Sequence, residues 1–227
     1  MSNIVCKQLV KTFQQGEQTI YGLDNVSLTI QQGEMTVLSG PSGSGKTTLL
    51  NAIGGLDEPD SGSIHVGDIE ITGLAKSKRA DIRLHRIGFV FQAYNLIPVL
   101  TVQENVEFVM QLQGVSVTER KRRSQEIIEE VGLTGLEKRR PAQLSGGQQQ
   151  RVAVARAIAS KPVLILADEP TANLDSKTSA QLLELFTQLN RQHDITFLIA
   201  THDAQVFDYC RRHIHMVDGK IVTDSAG

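Results

Sequence analysis

Along the first seventy positions apolar residues alternate with polar ones in short bursts separated by turn formers. IVCKQLVKTF, LDNVSLTI, EMTVLS and SIHVGDIEI read as strands separated by turn signals, with apolar residues at alternate positions in LDNVSLTI. EMTVLS runs into a glycine-rich stretch and out into KTTLLNAIGGL, where Leu49, Leu50 and Ile53 share one helical face before Gly54 and Gly55 stop it. From about position 94 the spacing turns helical, over TVQENVEFVMQLQGV, TERKRRSQEIIEEVGL and QQQRVAVARAIAS. VLILAD and ITFLIAT are then apolar nearly throughout and predict strands covered on both faces, with SKTSAQLLELFTQLNRQ as the helix between them. HIHMVDGKIV reads as two short strands around Asp218-Gly219, a hairpin signal.

Strand, loop and helix units that recur in this way imply parallel strands with crossover helices, an α/β fold. The expected organisation is one domain over 1–227, with the core built from 1–92 and 161–227 and a helical lobe inserted over about 93–160. The 227 residues suffice for one core, and 40% apolar with 21% charged residues is a globular composition. Cys6 and Cys210 form no pair pattern and read as packed or idle thiols in a reducing compartment. A formal net charge of −2 argues against a nucleic-acid partner, which would require a basic excess. No apolar run approaches the roughly 18 residues that cross a bilayer, and the first residues lack a signal-peptide core, so a cytosolic location is expected.

Chemistry concentrates at three places. Gly40-Pro41-Ser42-Gly43-Ser44-Gly45-Lys46-Thr47 matches GxxxxGK[ST] and lies between a predicted strand and a predicted helix. There the backbone N–H groups can curl around a β-phosphate, the helix N-terminus adds its positive end, Lys46 reaches the β- and γ-oxygens, and Thr47 can ligate Mg²⁺. Asp168-Glu169 ends the strand VLILAD, the edge of a parallel sheet where ligands bind. Asp168 is a candidate Mg²⁺ ligand and Glu169 a candidate general base. Leu144-Ser145-Gly146-Gly147-Gln148 opens a helix as a second anion site of backbone N–H groups plus one hydroxyl.

With both phosphate-binding loops in one chain, the sequence resembles the ATP-binding subunits of ABC transporters, in which LSGGQ is the signature and GPSGSGKT the Walker A loop. The resemblance covers essentially the whole chain, with the motifs in the family's order. It implies a P-loop NTPase cassette with a mainly parallel core sheet, an N-terminal antiparallel β subdomain and an inserted helical subdomain. Phe13 matches the aromatic that stacks on adenine; by itself it is equally a core aromatic, and Tyr21 is a rival platform. Thr48 would join Walker A in holding nucleotide. Gln92, after IGFVF, matches the Q-loop glutamine that reaches Mg²⁺ and the attacking water. Asp175 in Ala172-Asn173-Leu174-Asp175 matches the D-loop and reads also as a helix N-cap. His202 matches the switch histidine at the γ-phosphate.

The same resemblance implies ATP and Mg²⁺ as ligands and hydrolysis as the reaction. Ser145, Gly146, Gly147 and Gln148 of one copy would close over the P-loop of a second copy, giving a homodimer. An integral-membrane permease would dock near positions 92–100, holding the chain at the cytoplasmic face of a bacterial inner membrane. FQAYNLIPVLTVQENV, LSGGQQQRVAVARA and ADEPTANLDSKT look like the branch with lipoprotein-releasing, macrolide-export and cell-division cassettes, some of which work with a periplasmic or extracellular adaptor. Two alternatives stand beside transport: a cassette that recruits or regulates a membrane partner, and a soluble ABC ATPase of DNA repair or translation. His213 and His215 share a strand face at spacing two, too few ligands for a metal site. Arg120-Lys121-Arg122-Arg123 and Lys138-Arg139-Arg140 read as solvated faces.

Overall fold

The structure, a computed structural model, describes residues 2–226. Its elements run β1 (Ser2–Gln15), β2 (Gln18–Gln31), β3 (Met35–Ser39), α1 (Lys46–Ile53), β4 (Ser61–Val66), β5 (Ile69–Glu70), α2 (Lys76–Arg86) and β6 (Ile87–Phe91). Then come α3 (Val102–Leu112), α4 (Val117–Glu130), α5 (Gly146–Ala159), β7 (Leu164–Asp168), α6 (Ser176–His193), β8 (Thr196–Ala200), β9 (Arg212–Val217) and β10 (Lys220–Ala226). An antiparallel sheet of order β2-β1-β4-β5 packs beside a six-stranded sheet of order β10-β9-β3-β8-β7-β6. In the latter β9, β3, β8, β7 and β6 are mutually parallel and β10 is an antiparallel edge.

The uniformly apolar strands are covered on both faces, as their composition predicts. Leu164 and Leu166 of β7 and Leu198 and Ala200 of β8 join the apolar cluster shared with α1 and the antiparallel sheet. Ile165, Ala167, Phe197 and Ile199, on the alternate positions, join the cluster that holds Val106, Met110, Ile128, Val152 and Phe186 of α3–α6. The helices of 93–160 therefore share a continuous apolar core with one face of the sheet. α5 packs so closely on β6 that a Cβ on Gly88 would stand 2.8 Å from Ala157 O.

α2 has no counterpart in the sequence reading. KSKRADIRLHR buries only Ile82, so it shows no apolar stripe; its helicity is set by position, between the antiparallel sheet and β6. The predicted C-terminal hairpin is present, and Asp218 and Gly219 turn at φ 48° and 76°, the pair of left-handed residues that a two-residue connection demands. Its tip is tied inward, with Gly219 N donating to Ser44 O at 3.0 Å and Asp24 N donating to Gly219 O at 2.9 Å.

The basic cluster on α4 is solvated at Lys121 and Arg122 but not at Arg120 and Arg123. Arg120 donates to Val115 O at 2.8 Å and Arg123 to Ala159 O at 2.6 Å, both partly buried, whereas Lys138, Arg139 and Arg140 are exposed. His213 Nε2 meets the carbonyls of Cys210 and Phe207 at 2.9 and 3.2 Å, and His215 Nδ1 meets Ser39 Oγ at 3.0 Å. Both histidines thus join β9 to its neighbours. Cys6 and Cys210 are buried and free, and burial pushes each thiol up to about 12, far from a reactive thiolate.

Candidate functional site

Register alone gathers the motif residues on one edge of the parallel sheet. Leu38 of β3 pairs with Ala200 of β8, Ala200 with Asp168 of β7, and Asp168 with Phe91 of β6. The residues that follow these strand ends are the glycine-rich loop, Thr201-His202, Glu169 and Gln92, so four segments distant in sequence emerge side by side at the C-terminal edge.

In the loop over 40–47, Gly40 and Gly45 stand where the protein's own backbone leaves no room for a side chain. A Cβ on Gly40 would fall 2.2 Å from Met216 O and 2.7 Å from Ser44 Oγ, and one on Gly45 would fall 2.3 Å from Gly22 O. Gly45 enters α1 at φ 100° with no side chain capping the first turn. Those N–H groups are left to the concavity, which is how a helix N-terminus accepts phosphate. Lys46 is 9% exposed, and its Nζ donates to Gly40 O at 2.7 Å and Pro41 O at 3.0 Å, so the ammonium sits inside the curl of the loop. Ser44 Oγ is buried with no hydrogen-bond partner, an orphan that a phosphate oxygen would satisfy.

Thr47 Oγ1 lies 3.0 Å from Asp168 Oδ2 and 3.3 Å from Oδ1. Burial raises the Asp168 carboxyl above the usual carboxylate range and Glu169 adds to the rise, while the Thr47 hydrogen bond and Lys46 pull the other way. A hydroxyl beside one carboxylate is a hard-oxygen pair that suits Mg²⁺, an ion usually bound by one or two protein oxygens plus phosphates and water. Among the described residues no group of three or more His, Cys, Asp or Glu could hold a metal by itself.

Glu169 sits at φ 47°, left-handed for a residue with a side chain, with its N–H donating to Ala200 O at 2.8 Å. Its Oε1 is 2.7 Å from His202 Nδ1, and its Oε2 accepts from Thr201 Oγ1 at 2.9 Å. His202 is exposed. A cleft of about 410 Å³ runs from Glu169 and His202 past Ala172 to Ser176. A larger cavity of about 1090 Å³ opens by Arg86, Lys161 and His193, at the opposite strand ends, and includes none of the motif residues. Size is therefore no guide to the chemistry here.

Phe13 is 45% exposed, which removes the core-aromatic reading. Its ring overlies Gly22, where a Cβ would stand 2.5 Å from Phe13 Cε2 and 3.2 Å from Thr48 Cγ2, so the ring and the first turn of α1 meet at one spot. Tyr21, equally open, has no such link to the loop among the contacts described.

The remaining motif residues form a second group. Ser145 caps α5 reciprocally with Gln148: Gln148 N donates to Ser145 Oγ at 3.3 Å, and Ser145 N donates to Gln148 Oε1 at 2.9 Å. Gly146 lies against Tyr94, a Cβ there meeting the phenol oxygen at 3.0 Å, and Gly147 against Thr178, with a Cβ at 2.5 Å from Cγ2. Asp175 caps α6, accepting from Lys177 N and Thr178 N and from Thr178 Oγ1 at 2.6 Å. Gln92 Nε2 faces Asn173 Oδ1 at 3.5 Å, and Asn173 Nδ2 donates to Gln92 O at 3.0 Å. Gln92 is thus tied to the segment after β7, and the hydrogen bonds of Thr47 and Asp168 to each other do not include it.

Several contributors escaped the sequence reading. Arg156 of α5 donates to the carbonyls of Tyr94 and Asn95, both left-handed at φ 59° and 50°, fixing the loop after Gln92 to the signature helix. Thr201 was visible only as a polar residue at a strand end, and Asn173 only as a member of the D-loop motif with no role of its own.

The ABC transporter family model matches residues 23–172. An uncharacterized ABC transporter ATP-binding protein MJ0796 of Methanocaldococcus jannaschii is 45% identical, over 96% of this chain and 94% of its own length. The lipoprotein-releasing system ATP-binding protein LolD of Anaeromyxobacter dehalogenans is 46% identical, over 89% of this chain and 85% of its own. The macrolide export ATP-binding/permease protein MacB of Mannheimia succiniciproducens is 41% identical over 99% of this chain, which spans 35% of that longer protein. In three dimensions the chain is similar to a dimeric, post-hydrolysis state of the MJ0796 cassette bound to ADP and Pi, with a TM-score of 0.91 and 42% identity over 98% of both chains. With a family model matching most of its length and relatives this similar, the chain belongs to the ABC transporter ATP-binding family and is an ATP-hydrolysing cassette of that family.

Proposed function

We propose that two copies of this chain close head-to-tail around two Mg-ATP and that hydrolysis drives export or mechanical transmission through a membrane-spanning partner. The observation that carries the reading is the shared sheet edge that brings Lys46, Thr47, Asp168, Glu169 and His202 together. The Ser145–Gln148 group lies on another helix, as a surface offered to a second copy would. MJ0796 is described as a dimer, and the relatives LolD and MacB serve lipoprotein release and macrolide export. No helix among the described residues is long and apolar enough to cross a membrane, and in this reading the membrane-spanning partner docks at the surface near 92–100. Val99 there is 68% exposed.

In the reaction, water attacks the γ-phosphorus, the bond to the β,γ-bridging oxygen breaks, and the water's proton passes to Glu169. The P-loop N–H groups and Lys46 stabilise charge on the β- and γ-oxygens. Thr47 and Asp168 are the residues that would hold Mg²⁺, which would supply neutralisation of phosphate charge. His202 orients at the γ-phosphate, Gln92 reports its presence to the loop that follows, and Phe13 stacks on the base. Because the γ-phosphate contacts from the second copy's Ser145–Gln148 group would exist only in the closed dimer, ATP favours closure by differential affinity and loss of the γ-phosphate releases it. Glu169→Gln is expected to lower turnover by about 100-fold or more while trapping an ATP-dependent dimer on size exclusion. Wild-type turnover in that variant would remove Glu169 as the base.

A further inference from the structure

Thr201 is fully buried directly after Ala200, the last residue of β8. A buried hydroxyl persists where its hydrogen-bonding capacity is used, and here one of its contacts is to Glu169. Thr201 N donates to Leu38 O at 3.0 Å, fastening the residue to the strand that feeds the P-loop. Its Oγ1 accepts from Asp203 N at 3.0 Å and stands 2.9 Å from Glu169 Oε2. A hydroxyl carries one proton, and a carboxylate can only accept. With the Asp203 amide on the acceptor side, the Thr201 proton is directed onto Glu169 Oε2. The amide is itself fixed, since Asp203 accepts from Thr171 Oγ1 at 2.8 Å and from Gln205 N at 3.0 Å.

Oε2 also accepts from His202 N, but at a longer 3.4 Å, and the partner of Oε1 differs in kind. His202 Nδ1 holds Oε1 at 2.7 Å from a side chain that is 74% exposed, free to turn toward a phosphate, whereas packing gives Thr201 no such freedom. Glu169 is also held at its backbone in a left-handed conformation that persists only where the surroundings over-determine it.

We propose that Thr201 is the positioning residue for Glu169: its buried hydroxyl retains Oε2, so that Oε1 is presented to the attacking water when His202 releases it. This rests on Glu169 being the general base. Thr201 touches neither the nucleotide nor the water and acts through the carboxylate.

The test compares Thr201→Val, Thr201→Ala and Thr201→Ser with Glu169→Gln and the double variant Glu169→Gln/Thr201→Val, all in the full chain. Losing a hydrogen bond to a charged group should lower kcat about ten-fold or more in the Val and Ala variants. Their ATP Kd should stay within about two-fold of wild type, and Thr201→Ser should restore kcat to within about three-fold. The residual single-turnover rate of Glu169→Gln should not fall further on adding Thr201→Val. Wild-type kcat in Val and Ala, no rescue by Ser, or a further loss in the double variant would overturn the positioning role. The base assignment fails by a separate result, normal turnover in Glu169→Gln alone.

Discussion

Two helices of this chain begin at glycine-bearing loops, and they begin differently. α1 enters through left-handed Gly45 with its first turn uncapped, while α5 enters through Ser145, whose hydroxyl and amide are both met by Gln148. The first loop leaves its donors and a buried orphan hydroxyl, Ser44 Oγ, to a ligand and surrounds them with Lys46, Asp168 and Glu169. The second satisfies much of itself and has no acid or lysine of its own hydrogen-bonded to the cap. In the proposed reading one is the reaction centre and the other the face offered to a second copy, its glycines standing where Tyr94 and Thr178 leave little or no room for a side chain.

The sharpest way to break that contrast is Lys46→Ala, which should weaken ATP binding by about 100-fold or more, measured by nucleotide titration of the isolated chain. Retained tight binding would mean that the backbone cradle suffices and that Lys46 is structural. On the other helix the expected effect is mechanical. Gly147→Ala forces a Cβ to within 2.5 Å of Thr178 Cγ2, whose hydroxyl is tied to Asp175. Overpacking should cost about 1–2 kcal/mol, lowering Tm by about 4 °C for a chain of this size. Adding Thr178→Ser removes the clashing methyl and should return the loss, because Ala is otherwise the better helix former. If the double variant stays as unstable as the single, the glycine serves something other than this contact.

The smallest effect concerns Asp168. Its folded-state pKa is raised, chiefly by burial, so the folded chain binds that proton more tightly than the unfolded chain. The stability from this group is therefore present below the unfolded pKa and lost as pH rises through the folded one. At pH 7 the carboxylate is a local cost that Mg²⁺ would offset. Asp168→Asn, measured without nucleotide or Mg²⁺, should raise Tm by about 1–3 °C at pH 7, with the gain shrinking as pH falls through the carboxylate range. Added Mg-ATP should stabilise the variant less than wild type. A lower Tm at pH 7 would mean that the Thr47 hydrogen bond outweighs burial.

Much of the architecture was legible because the chain's patterns are strongly periodic or strongly apolar. VLILAD and ITFLIAT read as strands buried on both faces, and Asp218-Gly219 read as the turn of a tight hairpin. α2 was not legible, since its eleven residues bury one side chain and leave no stripe to read. Glu169 and His202 were named by motif, but their 2.7 Å contact and the Thr201 hydroxyl beneath it come from two different strands. The partly buried Arg120 and Arg123 were misread as solvated because charge along a sequence carries no record of the carbonyls a fold brings to it.

By itself the sequence determined which groups are present and their local form: a loop that must be glycine-rich to expose its N–H groups, a serine and a glutamine spaced to cap a helix, acids at a strand's end. These are short-range facts, settled by sterics and hydrogen bonding within a few residues. Only the tertiary structure decided the company they keep. The order β3-β8-β7-β6 places the P-loop, His202, Glu169 and Gln92 along one edge. Strand register across a buried sheet is set by packing on both faces, a property of all the strands together that no one segment contains.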